Sequence, residues 1–226
     1  MKSEQPKPFL NHEKYRWFFT SSGKLVVGGK SSLQNDELLK KLKRSRQDYI
    51  IMHTSTPGSP FAAILSEKKP LKSDIEETAI FTACFSRAWK EKNKQASVDI
   101  FTLSKIYKTK SMKIGTWGIK GKIERKVVEL NLVLTKQEGR LRAVPQITVK
   151  NKDKLLAITP GKIDKREMLP KFHVLLKEHF SQEELLSALP PGGVTIKGKT
   201  KPLKSSAEIP SCVTCDDCPL ECPSRK

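Results

Sequence analysis

Residues 14–29 constrain the fold most, because their pattern predicts a β-hairpin at the start of the folded chain. Tyr15-Arg-Trp-Phe-Phe19 is rich in aromatic residues, Ser21-Ser-Gly23 is a turn sequence, and Leu25-Val-Val27 is a second apolar segment. Two such segments joined by a short Gly-containing turn are typical of paired antiparallel strands. Gly28 and Gly29 then end the second strand.

The segments that follow alternate between helical and strand patterns. Leucines recur at helical spacing within residues 32–42. A second helix is predicted to begin at a Ser73-x-x-Glu76 capping box and to run to Trp89 or Lys92. Short apolar segments predict strands at 49–52, 61–65 and 98–101, and near 127–134 and 141–149. The predicted fold is therefore α+β, with a mixed, largely antiparallel sheet and packed helices.

A second, smaller α/β unit is predicted after Asn151. It comprises a strand at 155–159, a helix at 165–180, and another helix after a Ser181-x-x-Glu184 capping box. Pro170 is tolerated if the first of these helices starts late, near Leu169. We therefore predict an N-terminal extension (1–13), a main domain (14–150), a small α/β extension (151–196), a Lys/Pro/Ser-rich linker (197–211) and a cysteine-rich tail (212–226).

The charge balance points to a polyanionic partner. Lys and Arg number 43 against 24 Asp and Glu, which gives a formal net charge of +19. Cationic side chains that contact phosphates release condensed counterions, so a strongly basic chain is typical of nucleic-acid binding. A merely solvated basic surface is the alternative. No apolar stretch approaches the length of a membrane span, and the N-terminus lacks the apolar run of a signal peptide, so we expect a cytoplasmic protein.

Several motifs, in this order, resemble the RNA-binding domain of the NFACT family (NFACT-R), found in ribosome-associated quality-control factors of the NEMF and RqcH kind. They are the segment Tyr15–Lys30, Gln34-Asn-Asp-Glu37, Asp48 to His53 with Pro57-Gly-Ser59, the helix Glu76–Trp89, and Thr116-Trp-Gly-Ile-Lys-Gly121. Together they cover about residues 14–135. The resemblance implies a free-standing, non-enzymatic RNA-binding module that contacts tRNA or the ribosome.

Cationic side chains for phosphates and flat side chains for unpaired bases are the groups that RNA binding requires. Two basic areas carry them. The candidate residues are Lys105, Tyr107, Lys108, Lys110, Lys113, Trp117, Lys120 and Lys122 in one area, and Arg16, Lys30, Lys40, Lys41, Lys43, Arg44 and Arg46 in the other. Core packing is the alternative for both tryptophans, Trp17 and Trp117, and we favour it for Trp17.

The loop around His53 allows three interpretations. Backbone N–H groups at Gly58 and the Ser59 hydroxyl can bind a phosphate, as anion-binding loops do, and we include His53, Gly58 and Ser59 among the RNA-binding candidates. The loop can equally be a structural turn in which the histidine binds the backbone. A catalytic pair of His53 as base and Ser59 as nucleophile is the least favoured, because spacing offers no acid except Asp48.

The C-terminal tail has the cysteine spacing of a metal site. Cys212, Cys215, Cys218 and Cys222 follow the C-x₂-C-x₂-C-x₃-C-P pattern of bacterial ferredoxins. The pattern predicts a [4Fe–4S] cluster or a zinc ion, with Cys84 or a partner as a further ligand source. The alternative is a tail whose thiols are free and bind no metal. The rival function is accordingly an iron–sulfur or zinc protein with a redox or metal-sensing role.

Overall fold

A computed structural model describes residues 11–149, 155–176 and 179–197 of the chain. Within those ranges the strands are β1 (Arg16–Phe19), β2 (Leu25–Gly28), β3 (Ile50–Thr54), β4 (Ala62–Leu65), β5 (Gln95–Thr102), β6 (Ile106–Tyr107), β7 (Gly118–Ile119), β8 (Glu124–Glu129), β9 (Leu132–Gln137), β10 (Arg140–Pro145), β11 (Leu156–Asp164) and β12 (Gly193–Lys197). The helices are α1 (Ser32–Arg44), α2 (Lys72–Cys84), α3 (Arg87–Lys90), α4 (Leu169–Leu176) and α5 (Gln182–Ala188).

These strands form three antiparallel sheets, which confirms the α+β class. The largest sheet has six strands in the order β1-β2-β4-β3-β5-β8. A second sheet has the order β10-β9-β11-β12, and β6 pairs with β7. Because β9 pairs with β10 on one side and with β11 on the other, residues before and after position 150 share the four-stranded sheet.

The six-stranded sheet is apolar on both faces, since its side chains alternate between two hydrophobic clusters. On one face, Trp17, Val27, Ile51 and Phe101 pack with Leu38, Leu39 and Leu42 of α1. On the other face, Phe18, Val26, Met52 and Ile100 pack with α2 and with the four-stranded sheet. Each fully buried large apolar side chain contributes roughly 1.5–3 kcal/mol. The sheet therefore lies between α1 and a layer formed by α2 and the second sheet.

Asp74 corrects the predicted start of α2. The helix begins at Lys72, and the Asp74 carboxylate accepts a hydrogen bond from the Leu71 backbone N–H at 2.8 Å. Its other contacts come from the hairpin turn: Thr20 and Ser22 donate to it at 2.7 and 2.6 Å. The predicted Ser73–Glu76 capping box is therefore wrong, because a buried aspartate under the hairpin turn already caps the helix.

The predicted single helix from Ser73 to Trp89 or Lys92 is in fact two helices. α2 ends at Cys84, and Ser86 begins α3 by accepting a hydrogen bond from Ala88 N at 3.1 Å. The Ser86 hydroxyl also donates to Ala83 O at 2.7 Å. One serine therefore satisfies groups at the end of one helix and the start of the next, which explains the break.

Three further predictions differ in detail. The strand predicted near 127–134 is two strands, β8 and β9, separated at Leu130–Asn131. The helix predicted from Lys165 is α4, which starts at Leu169 and so places Pro170 in its first turn. The Ser181 capping prediction is confirmed, because the Ser181 hydroxyl accepts from Glu184 N at 3.1 Å.

Candidate nucleic-acid interface

A groove of about 610 Å³ opens where four parts of the chain meet: the start of α1, the β3–β4 loop, the α2–α3 junction and the segment 114–119. Four cations line it, namely Arg16, Lys30, Arg87 and Lys90. No Asp or Glu is among its described lining residues. We call this site the basic groove.

Arg16 is the most deeply placed cation of the groove. Its guanidinium carbon lies over the Phe85 ring, 4.7 Å from the ring centroid. Burial lowers the pKa of Arg16 to about 10. Within the described ranges its guanidinium makes no hydrogen bond or ion pair with a carboxylate. A half-buried cation without a counter-charge among the described residues is costly, so an anion entering here gains an electrostatic partner.

Lys30 and Arg87 line the same groove as Arg16. Burial, followed by the positive charges of Arg16 and Arg142, lowers the pKa of Lys30. Arg87 packs against Gly58, where an added Cβ would lie 3.1 Å from the Arg87 Cβ, and its backbone N–H donates to Gly58 O at 2.9 Å. Gly58 also has φ +109°, a region that disfavours side chains. Glycine therefore lets the loop approach α3 closely.

The side chains of the β3–β4 loop bond mainly to the loop itself. The Ser59 hydroxyl accepts from Thr54 N at 2.9 Å and donates to Pro60 O at 3.1 Å. His53 Nδ1 donates to Thr54 O at 2.7 Å, and its ring stacks on Phe61 with centroids 4.4 Å apart. Burial lowers the pKa of His53, although Thr54 O and Asp99 oppose the shift. The imidazole is therefore neutral near pH 7.

The geometry gives no support to a catalytic pair. No hydrogen bond between His53 and Ser59 occurs in the described part of the chain. Asp48, the acid suggested by spacing, instead accepts from Ser104 N and Oγ at 2.7 and 2.8 Å. The acid opposite His53 is Asp99 on β5, which is bound by Ser55 and Arg125.

Asp36 of α1 positions one wall of the groove. Its carboxylate accepts hydrogen bonds from Trp117 Nε1 at 2.8 Å, from Gly115 N at 2.9 Å and from Lys108 Nζ at 2.8 Å. Burial raises the pKa of Asp36, but these hydrogen bonds outweigh burial and hold the pKa below its ordinary value. Asp36 therefore stays ionised and fixes Trp117, which lines the groove.

The structure brings six of the candidate residues to the groove: Arg16, Lys30, His53, Gly58, Ser59 and Trp117. The remaining members of the 105–122 segment lie outside its lining. Lys105 Nζ donates to Lys122 O, and Lys120 Nζ lies 4.9 Å from the Tyr107 ring centroid. Lys110, Lys113 and Lys122 are exposed. Lys108 forms an ion pair with Asp36. Several lysines of this segment therefore already contact other groups of the protein.

The basic residues of α1 form a separate surface outside the groove. Lys40, Lys41, Arg44 and Arg46 are exposed. Lys43 Nζ donates to Ile106 O at 2.6 Å and so links α1 to the 105–122 segment. Trp17, for which core packing is favoured, is 2% exposed.

Arg87 and Lys90 were not among the residues singled out from the sequence. Both lie on α3, which the sequence pattern merged with α2. The Ser86-Arg87 pair after an apolar helix was the available signal, since serine is a common helix N-cap. Recognising that break would have indicated a separate short helix that carries both side chains.

Residues 14–121 match the family model described as the NFACT protein RNA binding domain. These residues belong to that family. The match confirms the resemblance, and we call residues 14–121 the NFACT-R domain. Every residue that lines the basic groove, except Pro191, lies within the NFACT-R domain. The domain is therefore an RNA-binding domain by family.

Comparison with other proteins adds little beyond this match. A similar solved structure is the C-terminal part of the fibronectin/fibrinogen-binding protein from Streptococcus suis, at 22% identity and a TM-score of 0.44. The similarity covers 57% of this chain and 49% of that chain, about half the length of each. No curated protein is similar enough to count as a match.

The predicted metal site at Cys212, Cys215, Cys218 and Cys222 lies outside the described residues. Within them, no group of three or more His, Cys, Asp or Glu side chains is arranged to hold a metal ion. Cys84 is fully buried and close to Asn131 O, and burial raises its pKa well above the ordinary value. Burial therefore disfavours the thiolate that a metal ligand requires. None of the described helices is long and apolar enough to cross a membrane.

Proposed function

We propose that the basic groove binds the phosphate backbone of RNA. The observation that carries this proposal is the lining of four cations without a carboxylate, among which Arg16 is half-buried and has no carboxylate partner within the described residues. Phosphates supply the missing negative charge, and each contact releases a counterion. Trp117 offers a flat side chain in the same wall, on which an unpaired base can stack.

We further propose that the RNA is tRNA or ribosomal RNA, met in the cytoplasm during translation or ribosome-associated quality control. The family of the NFACT-R domain and the net charge of +19 support this proposal. The role is binding and not catalysis, since the groove's His53 and Ser59 are both engaged by the loop backbone.

Charge reversal in the groove tests the proposal against a matched change elsewhere. The double variant Lys30→Glu/Arg87→Glu is compared with Lys40→Glu/Lys41→Glu, which makes the same change in net charge on the exposed face of α1. Binding of labelled tRNA and of purified ribosomes is titrated at several salt concentrations. We expect the groove variant to lose at least about tenfold in affinity and the α1 variant to lose much less. Equal losses would show that the groove is not the contact surface.

The cysteine spacing of the tail supports a second, separate proposal, that residues 212–222 bind a [4Fe–4S] cluster or zinc. Anaerobic purification followed by a visible spectrum and metal analysis tests it. Stoichiometric iron with a brown colour, or stoichiometric zinc, would support a site. A metal-free full-length protein would contradict it.

A further inference from the structure

A second pocket adjoins the basic groove, and Arg16 and Lys30 line both. It measures about 530 Å³, within the range of roughly 300–1,000 Å³ that is usual for ligand pockets. Its far wall consists of residues 139–143 and of α5, which lie outside the NFACT-R domain. RNA that follows the two shared cations therefore reaches a surface beyond the family match.

Carboxylates distinguish this pocket from the groove. Glu13, Glu183 and Glu184 line it. Glu13 is paired with Arg140 at 2.8 Å, and Glu184 accepts from Leu141 N at 2.9 Å. These carboxylates offset most of the positive charge of the four cations that line the pocket, so a phosphate is attracted here less than in the groove. An uncharged nucleobase does not depend on this attraction, and its amino groups can donate to carboxylates.

Arg142 supplies a flat surface in the pocket. Its guanidinium carbon lies over the Trp17 ring, 4.0 Å from the centroid, and Nη1 donates to Leu141 O at 2.8 Å. Its Nε is buried and has no partner among the described residues. One face of the guanidinium rests on Trp17, and the side chain lines the pocket. Guanidinium planes are surfaces on which unpaired bases stack in RNA complexes.

Arg142 is also close to the shared cations. Its positive charge contributes, after burial and Arg16, to the lowered pKa of Lys30. Arg16, Lys30 and Arg142 line the same pocket, so a phosphate held by the two shared cations lies at the pocket that Arg142 lines.

We propose that the second pocket is a subsite for one unpaired base of the bound RNA, which stacks on Arg142 while its phosphate contacts Arg16 and Lys30. This inference rests on the proposed function of the basic groove. It makes the C-terminal residues 139–188 part of the RNA interface, and it gives single-stranded RNA a contact that a fully paired duplex lacks.

The test compares a labelled single-stranded RNA with a blunt RNA duplex of the same length. Arg142→Lys keeps the charge but removes the planar surface. We expect it to weaken single-strand binding roughly fivefold to twentyfold and to leave duplex binding and the salt dependence unchanged. Arg166→Lys is the matched control, since Arg166 is exposed and lines neither pocket. It should change neither affinity.

A second variant covers the case in which Arg142→Lys fails to fold. Ser187→Trp places a large side chain at an exposed position in the pocket wall. It should lower single-strand affinity relative to duplex affinity by a similar factor. If Ser187→Trp leaves the ratio of single-strand to duplex affinity unchanged, the proposed subsite is wrong. Wild-type protein that binds neither RNA at low salt would instead overturn the proposed function itself.

Discussion

Trp117 Nε1 donates to the Asp36 carboxylate at 2.8 Å, and this contact joins two segments that are far apart in sequence. The same carboxylate holds Gly115 and Lys108. A single buried acid on α1 therefore fixes the segment that forms one wall of the basic groove. Because Trp117 is the flat side chain proposed to meet a base, the position of that wall matters for binding as well as for stability.

Asp36→Asn should destabilise the protein by about 2–3 kcal/mol, because it removes charge-assisted hydrogen bonds and leaves Lys108 without its counter-charge. Urea unfolding at pH 7 measures the loss. The control is Glu37→Gln, which alters the exposed neighbour on the same helix. An Asp36→Asn variant as stable as this control would show that the carboxylate does not hold the wall.

Acid should also weaken this contact, because the hydrogen bonds hold the pKa of Asp36 below its ordinary value. Its stabilisation is complete above the unfolded pKa of about 3.9 and is lost as the pH falls through the lower folded pKa. The stability difference between wild type and Asp36→Asn should therefore shrink below about pH 4. A constant difference between pH 7 and the acid limit of folding would contradict this.

His53 should make the protein less stable on mild acidification. Burial lowers the pKa of His53, so the unfolded chain binds the proton more readily than the folded protein does. Stability is therefore complete above about pH 6.5 and falls as the pH drops below that value. Urea midpoints at pH 7.5 and 5.5 should differ less for His53→Gln than for wild type. His179→Gln, which changes an exposed histidine, should behave like wild type.

Arg16→Met should leave the folded protein as stable as wild type, or up to about 1 kcal/mol more stable. Methionine keeps an apolar stem against Phe85 and removes a half-buried charge that has no counter-charge in the described structure. Thermal unfolding measures the change. A loss of 2 kcal/mol or more would mean that the guanidinium has a structural partner, and would weaken its assignment to RNA.

Removal of residues 205–226 should abolish metal binding and leave tRNA affinity unchanged, because the groove lies wholly within residues 16–191. Cys84→Ala should keep the metal content, since that thiol is buried. Metal analysis and a tRNA titration of both variants check this. If Cys84→Ala loses the metal, the body of the protein takes part in the site.

The hairpin, α1 and most strands were predictable from sequence, because each carries a local pattern of apolar residues or turn residues. The start of α2 was not, since the cap is set by Asp74, which is buried by the hairpin turn some fifty residues earlier in the chain. The groove was predictable only in part. Arg16 and Lys30 stood out as basic residues, but nothing local indicates that Arg16 is half-buried with no carboxylate partner among the described residues.

The other two cations of the groove were not predicted from the sequence, for a related reason. Arg87 and Lys90 reach it because Ser86 breaks the helix and Gly58 allows close approach of the loop. Lys108 stays a predicted RNA contact, but its ammonium group already forms an ion pair with Asp36, which the charge pattern does not show. Charge patterns count cations but do not show which ones already have partners.

The salt dependence of tRNA affinity in wild type and Arg16→Met tests the central claim most directly. If Arg16 binds a phosphate, the variant should bind about tenfold more weakly at low salt, and the slope of log affinity against log salt should decrease by about one. Arg44→Met, which removes an exposed cation of α1, serves as the control. An Arg16→Met protein with the affinity and slope of wild type would contradict the assignment of the basic groove as the RNA-binding site.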